Sequence, residues 1–394
     1  MRELLGRPGF RLLLAGQAVS ALGDWMGTIA FMVLVHRITD SSTAVAGVLV
    51  LRLLPAAVAG PLTARAARRW DRRHTMLSMD LVRAGLIALV PLVRGLWWIY
   101  LMAFLVEVAS LVFLPARDAS VPDLVDERDL NVANGLVLGS SYGTIPLGAA
   151  AFAAAAALPL LHDGGVAGRP YAVAFWIDAA TYIVSFFLVM RITELSDRGY
   201  GGDDTAEASF RDAFRIPLVR AVVPAAATAA IGLGALFSLG VVFVRDVLDA
   251  TDAQFGVLIA LFGVGAAGGL VVLRWVDVSL ATVRGAVLVQ GALIAGLSFA
   301  PGIAVTFLGA AAFGAATAAT LAAGMSVLQS RLDGRGRVLA FAAFHVVIRG
   351  GLSAAAIGAG VAADLVDTVR PVLFSSGLVV MASAALIAER ERVA

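Results

Sequence analysis

Residues 254–273 read QFGVLIALFGVGAAGGLVVL, twenty positions in a row without a charged side chain. At about 1.5 Å per residue a helix of that length is about 30 Å long, which matches the hydrocarbon core of a bilayer. The stretch also satisfies G-x-G-x-x-G at Gly263, Gly265 and Gly268. A dinucleotide site needs that motif after a strand in a soluble βαβ unit, with an acid about 20 residues further on. Here the motif lies inside an uncharged apolar span. Its glycines are therefore read as a small-xxx-small pattern, Gly265 and Gly269, that lets two helices approach closely.

The rest of the 394 residues has the same character. The set AVILMFWYC makes up 60% of the chain, Gly adds 41 residues, and charged residues are 15%. A soluble domain carries about 25% charge, so too few polar groups remain here to cover a water-facing surface. A soluble enzyme, a nucleic-acid binder and a disordered chain are excluded on that ground. Twelve stretches are apolar enough to span: about 10–35, 43–64, 75–93, 96–114, 132–161, 170–191, 216–244, 254–275, 283–300, 303–328, 338–362 and 370–388. The ninth and tenth are separated only by Pro301-Gly302, a tight-turn signal. The first is preceded by Arg2, Arg7 and Arg11, as a signal peptide would be, but it is too long and lacks a clean cleavage motif.

The chemistry is bounded by absences. There is no Cys, hence no disulfide, thiolate metal site or Cys nucleophile. There is no Lys, so neither a Walker A loop nor a Schiff base can form. The four His residues (36, 74, 162 and 345) are dispersed without metal spacing, and no G-x-S-x-G elbow occurs. The sequence holds no catalytic constellation. The expectation is a non-enzyme without cofactor or metal, with no nucleic-acid partner, embedded in the lipid bilayer.

Arginine fixes the expected orientation. With the N-terminus in the cytoplasm, 22 of the 30 Arg fall on the inside, five (Arg37, Arg94, Arg169, Arg245 and Arg370) outside, and three (Arg52, Arg83 and Arg349) within spans. Inside loops collect basic residues, so both termini are expected in the cytoplasm. The longest polar stretch, residues 193–215, carries Gly199, Gly201, Gly202, Asp203 and Asp204. It reads as a cytoplasmic linker between two six-helix domains, 1–192 and 216–394. Across it the halves match at an offset of 209: Asp40 with Asp249, Ala44 with Ala253, Gly47-Val48-Leu49 with Gly256-Val257-Leu258, Ala57 with Ala266 and Gly60 with Gly269. Parallel six-helix repeats around a central cavity are an architecture of alternating-access transporters.

Several blocks carry a resemblance to a known family. Ser20-Ala21-Leu22-Gly23-Asp24 lies in span 1. Leu51-Arg52-Leu53-Leu54-Pro55 lies in span 2, followed by Gly60-Pro61-Leu62. Arg69-Trp70-Asp71-Arg72-Arg73 joins spans 2 and 3, and Pro115-Ala116-Arg117, Pro122-Asp123-Leu124-Val125 and Ala133-Asn134 join spans 4 and 5. Arg245-Asp246-Val247-Leu248 follows span 7, and Gly336-Arg337-Val338 opens span 11. Over nearly its whole length the chain resembles the major facilitator superfamily, in particular its bacterial exporter branch of macrolide-efflux and enterobactin-exporter-like proteins. The resemblance implies an all-α integral membrane fold of twelve transmembrane helices in two pseudo-symmetric six-helix bundles. It also implies a cytoplasmic gate at the inner loops, here Arg68, Arg69, Asp71, Arg72, Arg73, Asn134 and Arg337. Two departures stand out. Ala64 and Arg68 occupy positions where the family's inner loop motif has Gly and Asp, and the span 5 antiporter motif survives only as Ile145-Pro146-Leu147-Gly148.

Charges inside spans cost at least about 2.5–3.5 kcal/mol each on insertion scales, so they are the first functional candidates. Asp24 lies near mid-depth in span 1 and Arg52 at similar depth in span 2, so an Asp24–Arg52 pair is expected, with Asp24 as a proton site. The repeat counterpart of Arg52 is Leu261, which confines this chemistry to the N-terminal half. Glu107 in span 4 and Asp178 in span 6 are further proton-coupling candidates. Asp80 and Arg83, at i,i+3 near the inner end of span 3, are read as a gate or structural pair. In span 11 His345 and Arg349 share a face, and with Gln17, Trp25, Tyr142 and Phe237 they are the candidates for lining a substrate site. The expected function is proton-coupled export of a small lipophilic or amphipathic compound (a drug, antibiotic or siderophore) by a monomer in the bacterial inner membrane. The alternatives are a lipid or lysolipid translocator on the same fold, and a non-transporting membrane scaffold or sensor.

Overall fold

A computed structural model describes residues 2–51, 71–93, 95–126, 129–158, 171–195, 213–276, 279–332 and 334–391. The helices in chain order are α1 (Arg2–Gly6), α2 (Pro8–Thr39), α3 (Ser42–Leu51), α4 (Arg72–Leu89), α5 (Leu96–Leu124), α6 (Leu130–Tyr142), α7 (Ile145–Ala157), α8 (Ala172–Met190), α9 (Pro217–Val242), α10 (Asp252–Val272), α11 (Leu280–Leu297), α12 (Ile303–Arg331), α13 (Gly334–Val366) and α14 (Arg370–Glu391). No strand occurs among the described residues. Nine spans among them are long and apolar enough to cross a membrane, and three shorter apolar helices stand at spans 2, 11 and 12. The fold is the all-helical, multi-span architecture expected from the composition.

Local signals explain the starts and stops. Asp71 caps α4 by accepting from the His74 backbone N–H at 2.6 Å. Thr251 and Gln254 close a reciprocal capping box at α10, and Ser279 with Thr282 does the same at α11. Gly302 precedes α12, so Pro301-Gly302 is the turn between spans 9 and 10. Two boundaries differ from the sequence reading. Span 5 is two helices, because the chain turns at Gly143 and Thr144 and restarts with Pro146 in the first turn of α7, where a missing N–H costs nothing. Span 4 continues as α5 to Leu124, through Pro115 and Pro122. Its buried face of Phe113, Ala116, Val121 and Leu124 packs in a core cluster with Leu13, Met76 and Val189. That burial outweighs the two prolines.

Contacts divide the chain into two compact units, Met1–Ile38 with Leu51–Asp203, and Thr39–Val50 with Asp204–Ala394. In the first, α4 packs on α5 and α8. In the second, α10 packs on α12, α9 on α13 and α11 on α14. Missing side chains set the α10–α12 approach. A Cβ on Gly265 would run into the backbone of Ala311, and one on Gly269 into that of Ala315. Gly268, in the same glycine run, faces open space. The G-x-G-x-x-G match is thus a helix-packing surface. The aligned Asp40 and Asp249 both adopt left-handed φ, 47° and 49°, a region that Asp tolerates better than most residues. Most of the expected linker, 196–212, lies outside the described residues.

Candidate functional site

In the first unit α2 gives α8 a strip without side chains. A Cβ on Gly16 would lie 3.3 Å from Ser185 Oγ, one on Gly23 would lie 2.6 Å from a carboxylate oxygen of Asp178, and one on Gly27 would collide with the other oxygen. From α8, Asp178, Thr181 and Ser185 fill the space, at spacings that put them on one helix face. Asp178 is 1% exposed. Close packing therefore seats a carboxylate against the α2 backbone inside the membrane-spanning region.

Asp24 and Tyr182 join the same surface. The Tyr182 hydroxyl donates to Asp24 Oδ1, and Tyr182 itself is fully buried. Over the face of the ring lies Arg83 of α4, its guanidinium 4.4 Å from the Tyr182 centroid and 4.1 Å from that of Phe113 on α5. Such desolvated cation–π contacts are worth up to about 2 kcal/mol. Arg83 also donates to Asp80 Oδ1 at 2.5 Å, with both side chains buried. Asp24, Tyr182, Arg83 and Asp80 thus form a continuous line across α2, α8 and α4, braced by α5. A water-sized pocket lies between Asp24 and Asp178, walled by Phe31, Ile87, Ala103 and Val106. It holds a water molecule's volume rather than a substrate's.

The expected residues distribute as follows. Asp24 and Asp178 meet at this pocket; Arg52 lies outside the described residues. Glu107 is half-buried on α5, which contributes Ala103 and Val106 to the pocket wall instead. Asp80 and Arg83 form the expected i,i+3 pair and extend it into the network of Asp24. Gln17 donates to Ser141 Oγ at 3.1 Å and Trp25 to the Ser141 carbonyl at 3.1 Å, so both clasp α2 to α6. Gly148 of the Ile145-Pro146-Leu147-Gly148 block lets α7 cross α2, since a Cβ there would lie 2.6 Å from the Leu22 carbonyl oxygen. Phe237 is buried in the second unit, edge-on to Phe262, which in turn packs on Phe313. The side chains of Tyr142, His345 and Arg349 lie outside the described residues.

At the helix ends expected to face the cytoplasm, Arg72 donates to Asp123 at 2.7 Å and to the Ala119 carbonyl at 2.8 Å, tying α4 to α5. Arg73 donates to the Met190 carbonyl at 2.5 Å, tying α4 to the C-terminus of α8, where cations are favoured by the helix dipole. Asp71 caps α4 and also contacts His74 Nδ1 at 2.8 Å. Arg68 and Arg69, and the side chains of Asn134 and Arg337, lie outside the described residues. The residue that sequence reasoning missed is Tyr182. Its one signal was the i,i+4 spacing from Asp178, which places the hydroxyl beside the acid only when α2 is known to pack there.

A family model described as Major Facilitator Superfamily matches residues 13–354. The putative bacilysin exporter BacE of Bacillus subtilis (strain 168) is 32% identical over 195 residues, covering 49% of this chain and 45% of the relative. Macrolide efflux protein A of Streptococcus pyogenes is 28% identical over 131 residues, 32% of each chain. The chain thus spans about a third to a half of the length of these curated relatives. Among solved structures, a bacterial homolog of the human lysosomal transporter Spinster, inward-facing and unoccupied, superposes with a TM-score of 0.82 at 16% identity, over 98% of this chain and 97% of that one.

Proposed function

The chain belongs to the major facilitator superfamily, and from that premise we propose that it is a proton-coupled exporter of a small lipophilic or amphipathic compound, working by alternating access. The observation that carries the coupling is the Tyr182–Asp24 hydrogen bond with Arg83 over the face of the same ring. That bond needs an acceptor oxygen on Asp24. The ionised carboxylate makes the bond charge-assisted; a proton on the acid leaves Tyr182 a neutral and weaker acceptor. Loading a proton therefore loosens Tyr182 and, through its ring, the seat of Arg83 on α4. The charge state of one acid is read by three helices, which gives a proton a differential effect on two arrangements of the unit. The pocket beside Asp24 and Asp178 gives water, and with it protons, a place to stand.

The names of two relatives, a putative bacilysin exporter and a macrolide efflux protein, support efflux of antibiotic-like molecules. The Arg bias supports both termini lying in the cytoplasm, and the protein is taken to act as a monomer in the bacterial inner membrane. The test is flux in proteoliposomes: a panel of radiolabelled macrolides, antibiotic peptides and siderophores, each with and without an imposed pH difference. Movement of a panel member that accelerates with the pH difference is expected. Flux that ignores the pH difference and follows lipid asymmetry would replace this reading by lipid translocation.

A further inference from the structure

The second span starts on an acid from far along the chain. The first turn of a helix leaves backbone N–H groups without intrahelical acceptors. In α3 the Ser41 hydroxyl oxygen accepts from the Ala44 N–H at 3.1 Å. The Ser42 and Thr43 N–H groups donate instead to the two carboxylate oxygens of Asp364, at 2.9 and 3.1 Å, and the Ser41 hydroxyl donates to Asp364 at 2.7 Å. The start of α10 is capped locally: the Thr251 hydroxyl oxygen accepts from the Gln254 N–H at 3.2 Å and the Gln254 side chain accepts from the Thr251 N–H at 2.8 Å. Ala44, three residues after Ser41 as Gln254 is three residues after Thr251, has no side-chain oxygen to complete such a box. A second feature of α13 fits the same turn. One helical turn before Asp364, Gly360 lacks the Cβ that would lie 2.9 Å from the Ser42 carbonyl oxygen and 2.9 Å from Thr43 Cα. Acid and gap lie at i,i+4 on α13, on one face, and both fit the same turn. The contact lies within the second unit, to which residues Thr39–Val50 belong.

We propose that Asp364 is a releasable latch, which docks the first turn of α3 on α13 in one stage of the transport cycle and frees it in the other. This rests on the alternating-access reading. A permanent joint would be served by apolar packing or a local capping box, as at α10. A charge-assisted bond at the polar end of two spans forms and breaks at small cost, because water takes over both partners.

The chain is naturally free of Cys, so a single reporter thiol is clean. Ser42, 3% exposed, is replaced by Cys, and the purified full chain in detergent is treated with a water-soluble maleimide. Labelling is expected to be slow in Ser42→Cys. It is expected to rise about tenfold when Asp364→Ala is added, the scale set by losing charge-assisted hydrogen bonds. Gly360→Leu, which keeps the acid but blocks docking, is expected to give the same rise. Slow labelling in either variant, when it runs as a monodisperse folded protein, overturns the latch. Failure of both variants to fold also overturns it, since the contact is then a structural clamp. The labelling requires neither substrate nor pH difference, so its failure is separable from failure of proton coupling, which the flux assay reads.

Discussion

Tyr182 joins the acid of α2 to the arginine of α4 through its two ends, a hydroxyl on Asp24 and a ring face under Arg83. The conservative change Tyr182→Phe keeps the ring and removes the bond to Asp24. Flux driven by a pH difference is expected to fall at least about tenfold in that variant, on the scale of a lost proton-transfer partner, while the thermal midpoint moves little. Gly27 sets the opposite kind of dependence. Gly27→Val puts a branched side chain where the Asp178 carboxylate lies, and overpacking of that kind costs about 1–3 kcal/mol. A lower thermal midpoint in detergent is the expected readout. Asp24 and Asp178 were legible in the sequence because an acid in an apolar run is conspicuous. Asp80–Arg83 was legible from its spacing. Tyr182 was not, since a tyrosine in a membrane helix reads as packing or an interface anchor until its neighbour is known. Asp364 was not, because its partners lie more than three hundred residues earlier.

The helices themselves follow from apolar length, and the sequence yields nearly all of them. It misses where a helix continues against local preference. Pro115 and Pro122 suggest a loop, yet the buried face of α5 carries the helix through both. It also misses the break of span 5 at Gly143 and Thr144, which no loss of hydrophobicity announces. The glycine run of α10 gives a sharp test at this scale. Gly265→Leu is expected to abolish folded yield, because its side chain would enter the backbone of α12, whereas Gly268→Ala faces open space and is expected to leave yield and midpoint unchanged. A dinucleotide site would demand both glycines. Fluorescence-detected size exclusion of the two variants separates the readings.

For the molecule as a whole, charge distribution and repeat are the legible features; the family match over residues 13–354 agrees with the multi-span fold. The Arg bias predicts that a fluorescent protein fused after Ala394 lights up and that alkaline phosphatase fused there stays inactive; the reverse would invert the topology. The repeat locates turns, as Asp40 and Asp249 demonstrate, but not the site: the Asp24–Tyr182–Arg83–Asp80 network lies in the first unit, and the two halves of the sequence diverge where Arg52 aligns with Leu261. The most direct test uses Asp24→Asn in proteoliposomes loaded with a transported panel compound. Substrate exchange at equal pH on both sides is compared with net flux driven by a pH difference. The predicted result is exchange near the parent rate and loss of the acceleration by the pH difference. Acceleration equal to that of the parent chain would contradict the assignment of Asp24 as the coupling acid.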